Sequence, residues 1–148
     1  MSRDQNVLKK NNNMKSNNKT EYTLEDALSF NQKGVQYYNQ GKLNKALEQY
    51  QLALDIRKRE DPDSIDLATS YKNIGAVYKS QGKLNEALEQ YQLALDIKKR
   101  KAPDSLSLAG SYNNIGLVYD SQEQVDVVQE LHLTCLGIYK LPLYYYKK

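Results

Sequence analysis

The sequence predicts an all-α protein: an α-solenoid of about three antiparallel helix-turn-helix repeats, preceded by a disordered N-terminal tail. The first observation is a period of 41 residues, because 16 of the 17 positions in residues 40–56 recur identically in residues 81–97. The second is a spacing of three and four residues between apolar side chains, which is typical of one helix face. No stretch alternates with period two, so no strand is expected. Units this short bury their apolar faces only against neighbouring units.

The tail is assigned to residues 1–22. It carries five basic and two acidic side chains and three consecutive asparagines at positions 11–13. It contains few large apolar residues, so burial cannot offset the entropy lost on ordering. We therefore expect this segment to be disordered.

The first repeat is assigned to residues 23–61, where the helical pattern begins at Thr23. Lys33 stands where the later repeats carry Ile74 and Ile115. Because terminal repeats of a solenoid often present a polar outer face, we interpret the first helix as a polar leading cap.

The second repeat, residues 62–102, shows both helices most regularly. Asp63 or Ser64 is expected to cap the first helix, residues 81–83 to break it, and Asn85 to cap the second. The basic run at residues 98–101 then ends the second helix. Cations in the last turn stabilise the helix dipole, and we favour this role over nucleic-acid binding.

The third repeat, residues 103–140, begins regularly, but its second helix departs from the pattern. His132 stands where the second repeat has Tyr91, and Cys135 where it has Ala94. We expect both side chains to be packed in the core rather than catalytic. The final segment, residues 141–148, is apolar and aromatic. It either folds back over the last repeat, or the chain is a piece of a longer array.

Six positions recur at fixed offsets in the first two repeats: a bulky residue, a small one, an aromatic, alanine, an aromatic and alanine. They are Phe30, Gly34, Tyr37, Ala46, Tyr50 and Ala53, and then Tyr71, Gly75, Tyr78, Ala87, Tyr91 and Ala94. The third repeat begins with Tyr112, Gly116 and Tyr119. This pattern resembles the tetratricopeptide repeat (TPR), in the longer variety of the kinesin light chain type.

The resemblance implies a groove, lined by the first helix of each repeat, that holds a peptide of a partner protein. Amide side chains in such a groove can bond a peptide backbone as donors and acceptors, and Lys72 and Lys79 favour an acidic ligand. The residues expected to face the ligand are Asn31, Gln32, Tyr38, Lys72, Asn73, Lys79, Asn113 and Asn114.

Chaperone-binding members of the family clamp a terminal carboxylate with Lys and Asn in the first repeat, Asn in the second, and Lys and Arg in the third. The matching positions here are Asn31, Val35, Asn73, Gly110 and Asn114, of which only Asn73 fits. The resemblance therefore predicts no carboxylate clamp and no binding of chaperone tails.

Composition narrows the remaining function classes. With one histidine and one cysteine, the chain offers no catalytic constellation or metal site, and no cofactor is expected. Outside the tail, acidic and basic residues balance, which argues against nucleic-acid binding. No apolar run is long enough to span a membrane, and the single cysteine fits a cytoplasmic location.

The leading hypothesis is thus a non-catalytic peptide-binding scaffold. The alternative is a regulatory or adaptor fragment of a larger enzyme or motor assembly.

Overall fold

The computed structural model describes residues 22–122 and 125–138, without the side chains of residues 125–129 and 138. These ranges form six helices and contain no strand, which confirms the all-α prediction. The helices are α1 (Leu24–Asn39), α2 (Leu43–Glu60), α3 (Ile65–Ser80), α4 (Leu84–Lys101), α5 (Leu106–Ser121) and α6 (Val125–Ile138).

The helices form three pairs, and each helix packs mainly against its neighbours in the chain. The pairs fall inside the repeats assigned from the sequence, whose boundaries stay a prediction. The predicted tail and C-terminal extension lie outside the described residues, apart from Tyr22. The Tyr22 ring packs edge-on against Phe30, with the ring centroids 5.3 Å apart.

Glycine makes the turns of the first two pairs possible. Gly41 and Gly82 adopt φ angles of +73° and +77°, in the left-handed region where other residues are strained. This conformation lets the next residue reach back: the Lys42 amide donates to the Tyr37 carbonyl at 2.9 Å, and Lys83 repeats the bond to Tyr78 at 2.8 Å. Carbonyls at the helix end thereby gain partners, and the chain reverses direction.

Side-chain caps begin the first helix of every pair. Thr23 forms a capping box with Asp26, and the hydroxyls of Ser64 and Ser105 accept from the backbone three residues ahead. The expectation of Ser64 as a cap is confirmed. The expectation for Asn85 is wrong, because α4 already begins at Leu84 and its N-cap, Lys83, makes no side-chain bond.

Asn85 instead joins neighbouring pairs. Its Oδ1 accepts a hydrogen bond from Gln122 Nε2 at 3.0 Å, and Asn44 accepts the same bond from Gln81 at 3.0 Å. Both bonds link the start of a second helix to the residue just after the next first helix. We call these two bonds the inter-pair rungs.

The core lies between successive pairs and, in a smaller cluster, between α1 and α2 of the first pair. One buried cluster joins α2, α3 and α4, and another joins α4, α5 and α6. Lys33 is exposed whereas Ile74 and Ile115 are buried, as the interpretation of α1 as a polar leading helix requires. Of the three described pairs, α3–α4 is therefore the one covered by apolar contacts on both sides.

Candidate functional site

The predicted ligand-facing residues lie on the first helices α1, α3 and α5, and we call this surface the first-helix face. At its centre, Asn73 Nδ2 donates to Asn31 Oδ1 at 2.8 Å, so two of the predicted amides are brought together. Both side chains are half-buried. One amide hydrogen of Asn73 is thus engaged inside the protein rather than available to a ligand.

The next step along the face does not repeat this pair. Lys72 takes the position that Asn31 holds one repeat earlier, so it has no carbonyl to offer Asn114. Asn114 is half-buried and makes no hydrogen bond to another described side chain. Both donors and the acceptor of its amide are thus without a partner among the described residues.

Tyr38 links α1 to α3 by a second contact. Its hydroxyl lies 2.9 Å from the hydroxyl of Ser80, a residue that the sequence analysis did not single out. Of the other predicted residues, Gln32 and Asn113 are exposed, whereas Lys72 and Lys79 are half-buried. The structure therefore places all eight on first helices, but joins only Asn31 to Asn73 directly.

A further cation, missed in the sequence, lies beside this face. Lys98 on α4 is only 5% exposed, and no described residue pairs with its ammonium group. Burial, and then the positive charge of Lys72, hold the pKa of Lys98 below its usual range. A lysine in this position was invisible to sequence reasoning because lysine is almost never fully buried unless it is paired.

The equivalent residue one repeat earlier shows what Lys98 lacks. Arg57 is 4% exposed, but its Nη1 donates to Ser70 Oγ at 2.7 Å and to the Asp66 carbonyl at 3.2 Å. In the next repeat Ser107 replaces Asp66, and the Ser111 hydroxyl donates to the Ser107 carbonyl instead. The cation at this position is thus hydrogen-bonded inside the protein in one repeat, and in the next it has no partner among the described residues.

The third pair carries a cavity of about 250 Å³. It opens beside Asn113 on the first-helix face and reaches between α5 and α6. The expectation that His132 is packed in the core is wrong, since its side chain is exposed at this cavity. Cys135 is half-buried, and its Sγ lies 3.4 Å from the Ala109 carbonyl. The lining residues are Tyr112, Asn113, Gly116, Leu117, Asp120, Leu131, His132 and Cys135.

Within the described residues, no group of three or more histidine, cysteine, aspartate or glutamate side chains is placed to hold a metal ion. In the same ranges, no helix combines the length and apolar character that crossing a membrane requires.

The family follows from a match to a family model. The model described as "Tetratricopeptide repeat" matches residues 25–100, which is just over half of the chain. The chain belongs to the tetratricopeptide repeat family. The tetratricopeptide pattern of small and aromatic residues is thereby placed on α1–α4, the helices that carry most of the first-helix face. No curated protein sequence matches the chain.

Solved structures share the tetratricopeptide fold. BtubC (BKLC) from P. vanneervenii is 30% identical with a TM-score of 0.73, over 78% of this chain and 47% of that protein. This chain thus spans about half the length of that relative. The TPR domain of Arabidopsis FLU is 21% identical with a TM-score of 0.70, over 78% of this chain and 96% of that domain.

A further neighbour was solved with a peptide bound. It is the first TPR of Spaghetti (RPAP3), in complex with the HSP90 peptide SRMEEVD. It is 19% identical with a TM-score of 0.63, over 80% of this chain and 82% of that one. At these identities, the FLU and RPAP3 domains show a shared fold and nothing about ligands.

Proposed function

We propose that this protein is a non-catalytic interaction scaffold that binds an extended peptide segment of a partner protein along the first-helix face. The observation that carries the proposal is the half-buried amide of Asn114, which has no described partner, one repeat beyond the amide pair of Asn31 and Asn73. A peptide backbone supplies both the donor and the acceptor that such an amide needs.

The charges beside the face favour an acidic peptide. Lys72 and Lys79 are half-buried on α3, and the buried ammonium of Lys98 has no counter-charge among the described residues. A buried cation costs free energy unless it is paired. A carboxylate of the ligand beside Lys72 and Lys98 would remove that cost in the bound state. The complex would then be stabilised relative to the free protein, and the affinity for an acidic peptide would rise.

The test is binding of the full chain to an array of peptides, with hits remeasured in solution. We expect the double variant Asn73→Ala, Asn114→Ala to lose binding by about tenfold or more, since two hydrogen bonds are removed. The matched control is Gln51→Ala, Gln92→Ala, which removes two exposed amides from α2 and α4. Equal losses in both variants, or none in either, would contradict the proposed face.

The acidic preference has its own test. We expect Lys98→Met to weaken binding of an acidic array hit by about tenfold, and to leave the same peptide with glutamines in place of its glutamates unchanged. Lys99→Met, an exposed neighbour on the same helix, is the control. If Lys98→Met binds the acidic peptide as the wild type does, the buried cation is not part of the site.

The absence of a carboxylate clamp also stays a proposal. Only Asn73 matches the clamp positions, and Asn73 is already bonded to Asn31. We therefore expect no micromolar binding of an acidic chaperone-tail peptide that depends on its free C-terminal carboxylate. Micromolar binding that disappears when the peptide is C-terminally amidated would overturn this.

A second candidate is an adaptor fragment of a larger, kinesin light chain-like assembly. It is favoured by the 41-residue period and by the 30% identity to BtubC (BKLC), of which this chain covers 47%. Purification of the protein from its own cells at endogenous level tests it. A stable complex with an enzyme or motor subunit supports this candidate, and a free 17.0 kDa chain argues against it.

A further inference from the structure

The three helix pairs differ in what packs against the equivalent glycine of their first helix. A Cβ atom added to Gly34 would meet the ring of Tyr50 at 2.5 Å, and one added to Gly75 would meet the ring of Tyr91 at 2.8 Å. In both pairs, a tyrosine from the second helix therefore lies directly on the glycine of the first helix.

The third pair keeps the glycine but loses the ring. His132 takes the place of Tyr91, and its side chain is exposed rather than buried. Apart from its chain neighbours and the backbone of its own helix, no described atom lies within 4 Å of a Cβ built on Gly116. The cavity of about 250 Å³ lies against this glycine, so the third pair has a vacancy where the other two have a phenol ring.

The cavity suits one side chain rather than a whole small molecule. Its volume lies below the roughly 300–1,000 Å³ of drug-sized ligand pockets. Its walls include the apolar side chains of Leu117 and Leu131, and Leu117 is 44% exposed on the first-helix face. Asp120, also in the lining, supplies a carboxylate that can accept a hydrogen bond.

We infer that this cavity is a specificity pocket that receives a tyrosine side chain of the bound peptide. The ring takes the place that Tyr50 and Tyr91 fill in the other pairs, and the hydroxyl donates to Asp120. The inference rests on the proposed function, because the pocket continues the first-helix face through Asn113. The amides of the first-helix face recognise only the peptide backbone, and the pocket adds a requirement for one phenol ring at the third pair.

The probe is p-cresol, the side chain of tyrosine without its backbone, so the pocket is tested separately from peptide binding. In ¹H–¹⁵N spectra of the full chain, we expect saturable shifts at the amides of Gly116, Leu117 and Leu131. A dissociation constant on the order of 1 mM is reasonable for so small a ligand. Shifts that do not saturate, or that spread evenly over α1–α4, would overturn the inference.

The decisive variant is His132→Tyr, which restores the ring that the other pairs have. We expect it to fill the pocket, to raise the midpoint of thermal unfolding and to abolish the p-cresol shifts. Thr134→Tyr adds the same side chain at an exposed position outside the cavity and should change none of these. Gly116→Leu, which fills the pocket from α5, replaces His132→Tyr if that variant does not fold.

A peptide hit and its Tyr→Ala version complete the test. The wild type should prefer the tyrosine peptide by about tenfold or more, and His132→Tyr should bind both alike. An equal preference in the wild type and in His132→Tyr overturns the inference, including the case in which residues 139–148 of the same chain close the pocket. If p-cresol binds but no peptide does, the proposed function fails while the pocket stands.

Discussion

At the scale of single residues, Arg57 and Lys98 differ in the hydrogen bonds that they make. Both are buried at the same place in successive repeats, but of the two only the guanidinium reaches acceptors among the described residues, at Ser70 and at the Asp66 carbonyl. A planar group with five donors can satisfy two fixed acceptors at once, which an ammonium does less well. The arginine therefore stabilises the array, whereas the lysine makes no such bond to a described residue.

Replacing Arg57 by lysine tests this difference. We expect Arg57→Lys to lower the free energy of unfolding by about 1–2 kcal/mol, since a charge-assisted bond to buried Ser70 is lost. Urea denaturation at neutral pH measures it, with Lys58→Arg, an exposed neighbour, as the control. Equal stability of Arg57→Lys and the wild type would show that the two bonds contribute nothing.

Tyr91 carries a pH dependence. Burial, with a smaller contribution from Tyr38, raises its pKa to about 12, from the value of about 10 expected in the unfolded chain. Stability from this group is therefore fully present below pH 10 and is lost as the pH rises towards 12. We expect Tyr91→Phe to lose less stability between pH 9 and 11.5, by up to about 2 kcal/mol.

Urea denaturation across that pH range measures the effect of Tyr91→Phe. Tyr112→Phe, a half-buried ring, is the control. Parallel stability curves for the wild type and Tyr91→Phe would contradict the assignment of alkaline instability to this phenol.

At the scale of helices, replacing the equivalent glycine by alanine should lower the stability of the fold in the first pair and raise it in the third. Gly34→Ala forces a methyl group against the Tyr50 ring, and overpacking of this kind costs about 1–3 kcal/mol. Gly116→Ala meets no described atom and gains about 1 kcal/mol of helix propensity. The midpoint of thermal unfolding should therefore fall for Gly34→Ala and rise for Gly116→Ala. A shift in the same direction for both would mean that the third pair is packed like the first.

The helices could be predicted from the sequence because each apolar side chain recurs where its helix face requires it. The errors came from features that periodicity does not encode. Asparagine is a good capping residue, but the glycine turn brings the helix start two residues earlier, so Asn85 forms a rung instead. His132 holds a core register position, but its imidazole gains little from apolar burial and lies exposed.

The candidate face was predictable only in outline. Its eight residues follow from the family's groove. The bond that occupies Asn73 depends instead on how closely it approaches Asn31, a residue 42 positions away on another helix. Lys98 lies buried like Arg57 one repeat earlier, and no charge pattern in the sequence indicates this burial. The cavity above Gly116 arises from a replacement in the partner helix, where His132 stands in place of a tyrosine.

At the scale of the whole molecule, stability should be graded along the array. The pair α3–α4 has apolar contacts on both sides, whereas α1 and α6 each contact the other described helices on one side only. Repeat arrays are stabilised by contacts between neighbouring units, so their ends open first. Native-state hydrogen exchange should find the slowest amides in residues 65–101 and faster exchange in α1 and α6. Uniform protection would instead indicate that all described helices open as one unit.

The inter-pair rungs have a consequence for heredity. Asn44 and Gln81 make the same bond as Asn85 and Gln122, so the same two residue types form the rung at both junctions. A duplication of 41 codons would reproduce both partners of a rung, without any compensating mutation. Selection could therefore lengthen or shorten this surface in whole steps, and lineages should differ in the number of units before they differ in the residues that join them.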